Sequence, residues 1–182
     1  MSDPDVQKIL NLEDQQLLDQ CEVDIYKASG PGGQHRNKVS SAVRLRHGPT
    51  GLMAHANDSR SQHDNKRLAI KRLRMNIALQ LRTRLDPKAI LMPGLVGQCL
   101  STPRKQTGKA GKVLQIGRKD HRFWAVAAWL LDLLDVCEGQ LGKASATLGI
   151  STGNLVRIFK SDRHLLHAVQ EMRKRFGLKP LQ

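Results

Sequence analysis

EVDIYKASGPGGQHRNKVSSAVRLRHGPTGLMAHA, residues 22–56, carries two kinds of pattern in one stretch. From Glu22 to Lys27 it alternates, with Val23 and Ile25 on one side and Asp24 on the other, which predicts a strand. The strand runs into a loop at Ser29-Gly30-Pro31-Gly32-Gly33. Strand character resumes at Ala42, where Val43 and Leu45 point one way and Arg44 and Arg46 the other. His47-Gly48-Pro49-Thr50-Gly51 is a turn, so Leu52 to Ala56 pairs back as the second arm of a hairpin. At least three strands follow, the first two joined by a glycine-rich connection.

The flanks supply helices, so the expected fold class is α+β: a small sheet with packed helices bearing the loop, then a helical module. Residues 6–20 read as one short helix with Ile9, Leu10, Leu17 and Leu18 apolar. Between Gln62 and Arg84 there is neither Pro nor Gly, and Ile70, Leu73, Ile77 and Leu81 repeat at helical spacing. Arg67, Lys71 and Arg74 repeat on another face of that helix. Residues 86–120 hold Pro87, Pro93 and Pro103 and a basic run from Arg104 to Lys119, which reads as a flexible or partly ordered connection. Its Gly108-Lys109-Ala110-Gly111-Lys112 cluster lacks the spacing and the Ser/Thr of a phosphate-binding P-loop. From His121 onward the pattern is helical, and Ala144 to Phe159, with a turn at Gly149, has a helix-turn-helix-like arrangement. The expected domains are 1–88, a linker over 89–119, and a module over 120–182.

Charge bounds the partner. The net charge is +14 and the pI near 10.3. Residues 1–24 hold seven acids and one base, whereas residues 25–122 hold 21 bases and four acids. A polyanion is expected there, bound through phosphates, because aromatic residues at 3% are too few for base-stacking platforms. Cys21, Cys99 and Cys137 lie far apart without CxxC spacing, so neither a disulfide framework nor a zinc site is expected. The acidic start and the lack of an 18-residue apolar run point to a cytoplasmic protein that meets no membrane.

The stretch from Ser29 through Gly32-Gly33-Gln34-His35-Arg36-Asn37-Lys38 to Leu45 is followed by Pro49-Thr50-Gly51-Leu52 and by Ser59-Arg60-Ser61-Gln62-His63-Asp64-Asn65-Lys66. In that order, over about residues 20–85, these elements resemble the catalytic domain of class I peptide chain release factors and of their shorter relatives that rescue stalled ribosomes. The resemblance implies hydrolysis of peptidyl-tRNA in the peptidyl transferase centre of the large subunit, with Gly32, Gly33 and Gln34 as the catalytic residues. It implies that the backbone N–H of Gln34 donates to the developing oxyanion while the side-chain amide shapes the water site. His35, Arg36, Asn37 and Lys38 are the implied RNA contacts of the loop, and Arg60, Lys66, Arg67, Lys71 and Arg74 are added as outlying phosphate contacts. Gln34 corresponds to a glutamine commonly N-methylated in the family, which implies a glutamine methyltransferase as a partner. No cofactor and no metal are expected.

Decoding release factors carry long segments before this domain that recognise a stop codon, and only about twenty residues precede it here. The expectation is therefore the codon-independent rescue branch, with ribosomal RNA and peptidyl-tRNA as partners. Two other readings stand beside it. One is a GGQ domain that binds ribosomes or RNA without hydrolysis; the other is a DNA-binding regulator whose Ser151, Thr152, Asn154 and Arg157 face a major groove.

Overall fold

The computed structural model describes residues 5–27, 41–102 and 111–181, and the chain divides into two compact units, Met1–Leu81 and Arg82–Gln182. The fold class is α+β, as expected. The first unit opens with two short helices, α1 (Val6–Leu10) and α2 (Asp14–Asp19), where the sequence suggested one. The break has a local cause: Glu13 and Gln16 form a reciprocal capping box that starts a new helix. The carbonyls of Leu10 and Leu12, freed at the break, accept from Arg74 at 2.8 and 2.6 Å.

Strands β1 (Cys21–Tyr26), β2 (Ala42–His47) and β3 (Met53–Ala56) form an antiparallel sheet with β2 in the centre. Register pairs Val23 with Leu45 and Ile25 with Val43, then Leu45 with Ala54 and Val43 with Ala56. One face of β2 and β3 is buried, and helix α3 (Gln62–Gln80) packs on these two strands with Ala69, Ile70, Leu73 and Ile77 buried. Each such Leu or Ile contributes about 1.5–3 kcal/mol by burial. On the other face Asp24 pairs with Arg44 and Glu22 with Arg46, and Arg44 lies 5.5 Å over the Tyr26 ring. As the edge strand, β1 keeps Val23 and Ile25 nearly half exposed. At the hairpin turn the buried His47 ring bridges Thr50 Oγ1 at 2.8 Å and Gln20 Oε1 at 3.0 Å, and burial lowers its pKa.

A buried amide ties this unit together. Asn65, in the first turns of α3 and with no exposed surface, donates from Nδ2 to the carbonyls of Ser41 and Ser59, each at 2.7 Å. Its Oδ1 accepts from the Ser59 N–H at 2.9 Å. Beside it, Arg72 grips Asp58 through two 2.8 Å bonds and donates to the His55 carbonyl, which pins the chain between β3 and α3 and lowers the Asp58 pKa.

Helix α3 stops at Gln80 rather than Arg84, and the second unit begins with Arg82 and Thr83 held by Asp132. The described residues of the expected linker are built into this unit. They contain α4 (Gly94–Gln98) and a two-stranded ladder of β4 (Leu100–Ser101) and β5 (Val113–Leu114), with Val96, Cys99 and Leu114 buried. The division at 81/82 falls seven residues before the expected boundary at 88. Helix α5 (Phe123–Val136) is buried almost all round and forms the core, as a helix apolar on every side must. Helices α6 (Leu141–Leu148), α7 (Thr152–Lys160) and α8 (Arg163–Arg175) follow. Between α6 and α7, Gly149 takes φ +68°, a left-handed conformation suited to glycine.

Two outcomes follow. Asn65→Ala would leave three part-buried backbone groups without the partner they now have. It should cost on the order of 2–4 kcal/mol in the unfolding free energy from urea titration, and a loss below about 0.5 kcal/mol would contradict the clamp. The second concerns Asp132, whose Oδ1 accepts from Arg82 and the Thr83 N–H while its buried Oδ2 finds no partner among the described residues. Burial pushes its pKa from the ordinary 3.8 up to about 6, more than the neighbouring Arg82 pulls it down, and burial lowers the Arg82 pKa as well. A raised carboxyl pKa means that the folded chain holds the proton more tightly, so the contribution is fully present below pH 3.8 and is lost as pH rises through 6. Asp132→Asn should therefore gain stability relative to the parent between about pH 4 and pH 7, by on the order of 1–3 kcal/mol. Urea titrations at both pH values check this, and an unchanged difference would show that Asp132 does not titrate in this range.

Candidate functional site

The GGQ stretch is the connection between β1 and β2. Gly32, Gly33, Gln34, His35, Arg36, Asn37 and Lys38 lie outside the described residues; what the structure describes is how their segment is rooted. Tyr26 and Ala42 are paired across the antiparallel ladder, so both roots leave from one end of the sheet about 5 Å apart. On the exit side, the residue next to the ladder is Ser41. Its carbonyl is held by Asn65, and its hydroxyl reaches the Ser59 carbonyl at 3.4 Å. Position 41 is thus fixed by the sheet on one side and by α3 on the other.

The same clamp brings basic residues to the root. Ser59 is bonded to Asn65 through both N–H and carbonyl, which sets Arg60, exposed, one residue away. Ser61 caps α3 by accepting from the Asp64 N–H at 3.2 Å. Lys66 follows Asn65 directly and is half-buried; Arg67 and Lys71 are exposed and one turn apart. Arg67 and Lys71 share their face of α3 with Asp64, and Lys66 lies about 100° round the helix from Arg67. Arg74 departs from expectation. Its side chain is only 13% exposed and binds two carbonyls at the α1–α2 break and Asp14 at 2.9 Å, so it is a structural staple rather than a phosphate contact.

Asn65 is the residue that the sequence reading passed over. Its signal was available: it lies four residues before Ala69 and eight before Leu73 on the buried stripe, where a lone amide requires partners. In the second unit, Asn154 corrects another expectation. It is buried, with Oδ1 accepting from the Leu114 N–H at 2.8 Å and Nδ2 donating to the Leu114 carbonyl at 3.1 Å, so it faces no groove. Ser151, Thr152 and Arg157 are exposed. Among the described residues no group of His, Cys, Asp or Glu is arranged to hold a metal ion, and no helix is long and apolar enough to cross a membrane.

Residues 13–90 match the RF-1 domain. Peptide chain release factor 1 of Paracidovorax citrulli is 38% identical over 149 residues, which are 81% of this chain and 39% of that protein. The corresponding protein of Albidiferax ferrireducens is 41% identical over 120 residues, 65% of this chain and 31% of the relative. Peptide chain release factor 2 of Buchnera aphidicola is 52% identical over 59 residues, 32% of this chain and 16% of the relative. The chain spans about two fifths of the length of the first of these relatives. The β1–β2 connection bearing Gly32-Gly33-Gln34 thus lies inside an RF-1 domain that also contains Asn65, and through that domain the chain is similar to the class I peptide chain release factors.

Proposed function

We propose that the protein hydrolyses the ester of peptidyl-tRNA inside the ribosome without reading a stop codon, and so releases peptides from stalled ribosomes in the cytoplasm. The observation that carries this reading is the Gly32-Gly33-Gln34 segment in an RF-1 domain, rooted between the Tyr26–Ala42 pair and the Asn65 clamp. Water attacks the ester carbonyl, negative charge gathers on its oxygen, and the ribose 3′-oxygen leaves. A donor already in place at that oxygen lowers the barrier, because it gains strength as the charge develops. The backbone N–H of Gln34 is that donor, and glycines at 32 and 33 allow the main chain its close approach to RNA. The Gln34 amide confines the attacking water without supplying a competing nucleophile.

His35, Arg36, Asn37 and Lys38 hold the segment against ribosomal RNA, and Arg60, Lys66, Arg67 and Lys71 extend that contact along α3. A catalytic segment needs rigid roots if its donor is to meet a developing charge, and a buried three-bond clamp is a rigid root. Methylation of Gln34 by a glutamine methyltransferase belongs to the same reading. The codon-independent part is supported by the character of the second unit, a helical module whose bases suit contact with RNA backbone rather than with base edges.

Two experiments test the proposal. Purified protein should release labelled peptide from ribosomes stalled with an empty decoding site, and strict dependence on a stop codon would sink the rescue reading. In single-turnover release at saturating protein, Gln34→Ala should reduce the rate only in part, since any residue but proline keeps the backbone donor. Gly33→Ala should lose about 10²–10³ or more, the typical cost of a lost preorganised donor, with sedimentation confirming that binding survives. A bound Gly33→Ala protein that releases peptide at the parental rate would remove the backbone-donor mechanism and favour a GGQ domain that only binds.

A further inference from the structure

The second unit holds a basic surface that the loop chemistry does not use. Residues 111–119 run as a strap beside α7. At one end Lys112 bridges Ile150, and its N–H donates to the Gly149 carbonyl at 3.0 Å; in the middle Leu114 is held by Asn154. At the other end Arg118 pairs at 2.9 Å with Asp162, the buried cap of α8. The strap is therefore fixed at both ends of α7, and an open groove of about 540 Å3 runs between Gln115–Gly117 and Arg157, Ile158 and Ser161, with Asp120 also in its lining.

Charge on this surface is mainly positive. Neither 111–119 nor 151–161 contains an acid, and between them they present Lys112, Arg118, Lys119, Arg157 and Lys160, all exposed. Arg118 keeps two thirds of its side chain exposed despite its ion pair. Two carboxylates adjoin the surface, and both are ion-paired: Asp162 is buried under Arg118, and Asp120, in the groove lining, is gripped by Arg122, which holds its pKa at about 2. On α7 the exposed stripe is Gly153, Arg157 and Lys160, opposite the buried Asn154, Leu155, Ile158 and Phe159. Gly153 is informative. Nothing lies within 4 Å of where its Cβ would be, so packing does not demand glycine in this first helical turn, where glycine weakens the helix. A bare backbone on a cationic helix face instead admits the close approach of a bulky anion.

We infer that the groove formed by the 111–119 strap and the Gly153–Arg157–Lys160 stripe of α7 is a phosphate-backbone-binding surface for double-helical RNA. The side chain best suited to reading a base edge, Asn154, is turned inward to hold the strap. On α7 what remains outward is small or cationic, which suits sequence-independent phosphate contact, and Gln115 is the one exposed amide of the strap. The choice of RNA over DNA rests on the ribosomal reading above; the surface itself does not depend on hydrolysis.

The test uses the full-length protein and an RNA duplex of about twenty base pairs and arbitrary sequence, with the matching DNA duplex beside it, followed by fluorescence anisotropy across a salt series. Arg157→Glu should weaken RNA binding several-fold and lower the log–log salt slope by about one. Gly153→Glu, whose side chain enters open space and should leave the thermal midpoint unchanged, should weaken binding at least as much. Lys174→Glu, a charge reversal in the last turn of α8, should have a much smaller effect. Unchanged affinity in the first two variants, or an equal loss in the third, would overturn the surface. Tighter binding to the DNA duplex, lost in the same variants, would overturn the choice of RNA. Because the assay contains neither ribosomes nor peptidyl-tRNA, a failure of the release assays leaves its outcome untouched.

Discussion

Everything proposed for the first unit depends on one carboxamide. Asn65 reaches from α3 to Ser41 and Ser59, and so joins the exit of the β1–β2 connection, the turn before α3, and the helix itself through three short hydrogen bonds. The β1–β2 ladder alone would fix only the distance between the roots, because a two-stranded edge can twist and fray. Tying the exit root to a helix that packs on the same sheet adds an orientation. A buried amide suits this role, since it offers two donors and one strong acceptor without charge, and leaving it unsatisfied is expensive enough to exclude competing registers.

The second unit repeats the device with a different purpose. Asn154 also projects from the first turn of a helix and also satisfies backbone groups of an extended segment, here both groups of Leu114. A two-residue ladder such as β4–β5 has little stability of its own, so the side-chain bonds hold what the strands cannot. Asp132 shows the opposite balance. Its burial disfavours the charged form more than Arg82 favours it, and it earns its place by capping the turn at Arg82 and Thr83 rather than by Coulomb attraction.

The sheet was legible because alternation and turn chemistry act locally: Val43 and Leu45 against Arg44 and Arg46, then Gly51 at φ +70° between the arms. The helices of the second unit were legible through their apolar spacing. Three features were hidden because they depend on contacts that spacing does not encode. Arg74 sits in register with Arg67 and Lys71, yet only the break at Leu10–Leu12, more than sixty residues away in sequence, explains its burial. Residues 89–119 looked like a linker because Pro, Gly and Lys dominate the eye, while the sparse Val96, Cys99 and Leu114 carry the packing. Asn154 looked like a groove-facing residue because helix position suggests exposure, and the ladder that consumes it is too short to announce itself. Of the candidate site, Asn65 could have been read, as an amide on an apolar stripe.

The Arg74 staple also imposes an order on synthesis. Residues 5–20 are made before α3, and the guanidinium that receives their free carbonyls is 64 residues behind Leu10. At roughly 5–20 residues per second, that is a wait of about 3–13 s. During it α1 and α2 are isolated helices of five and six residues, far below the length at which a helix persists alone in water. The hairpins, by contrast, need only neighbours in sequence and close within microseconds of emerging. The α1–α2 segment is thus made well before the side chain that fixes it.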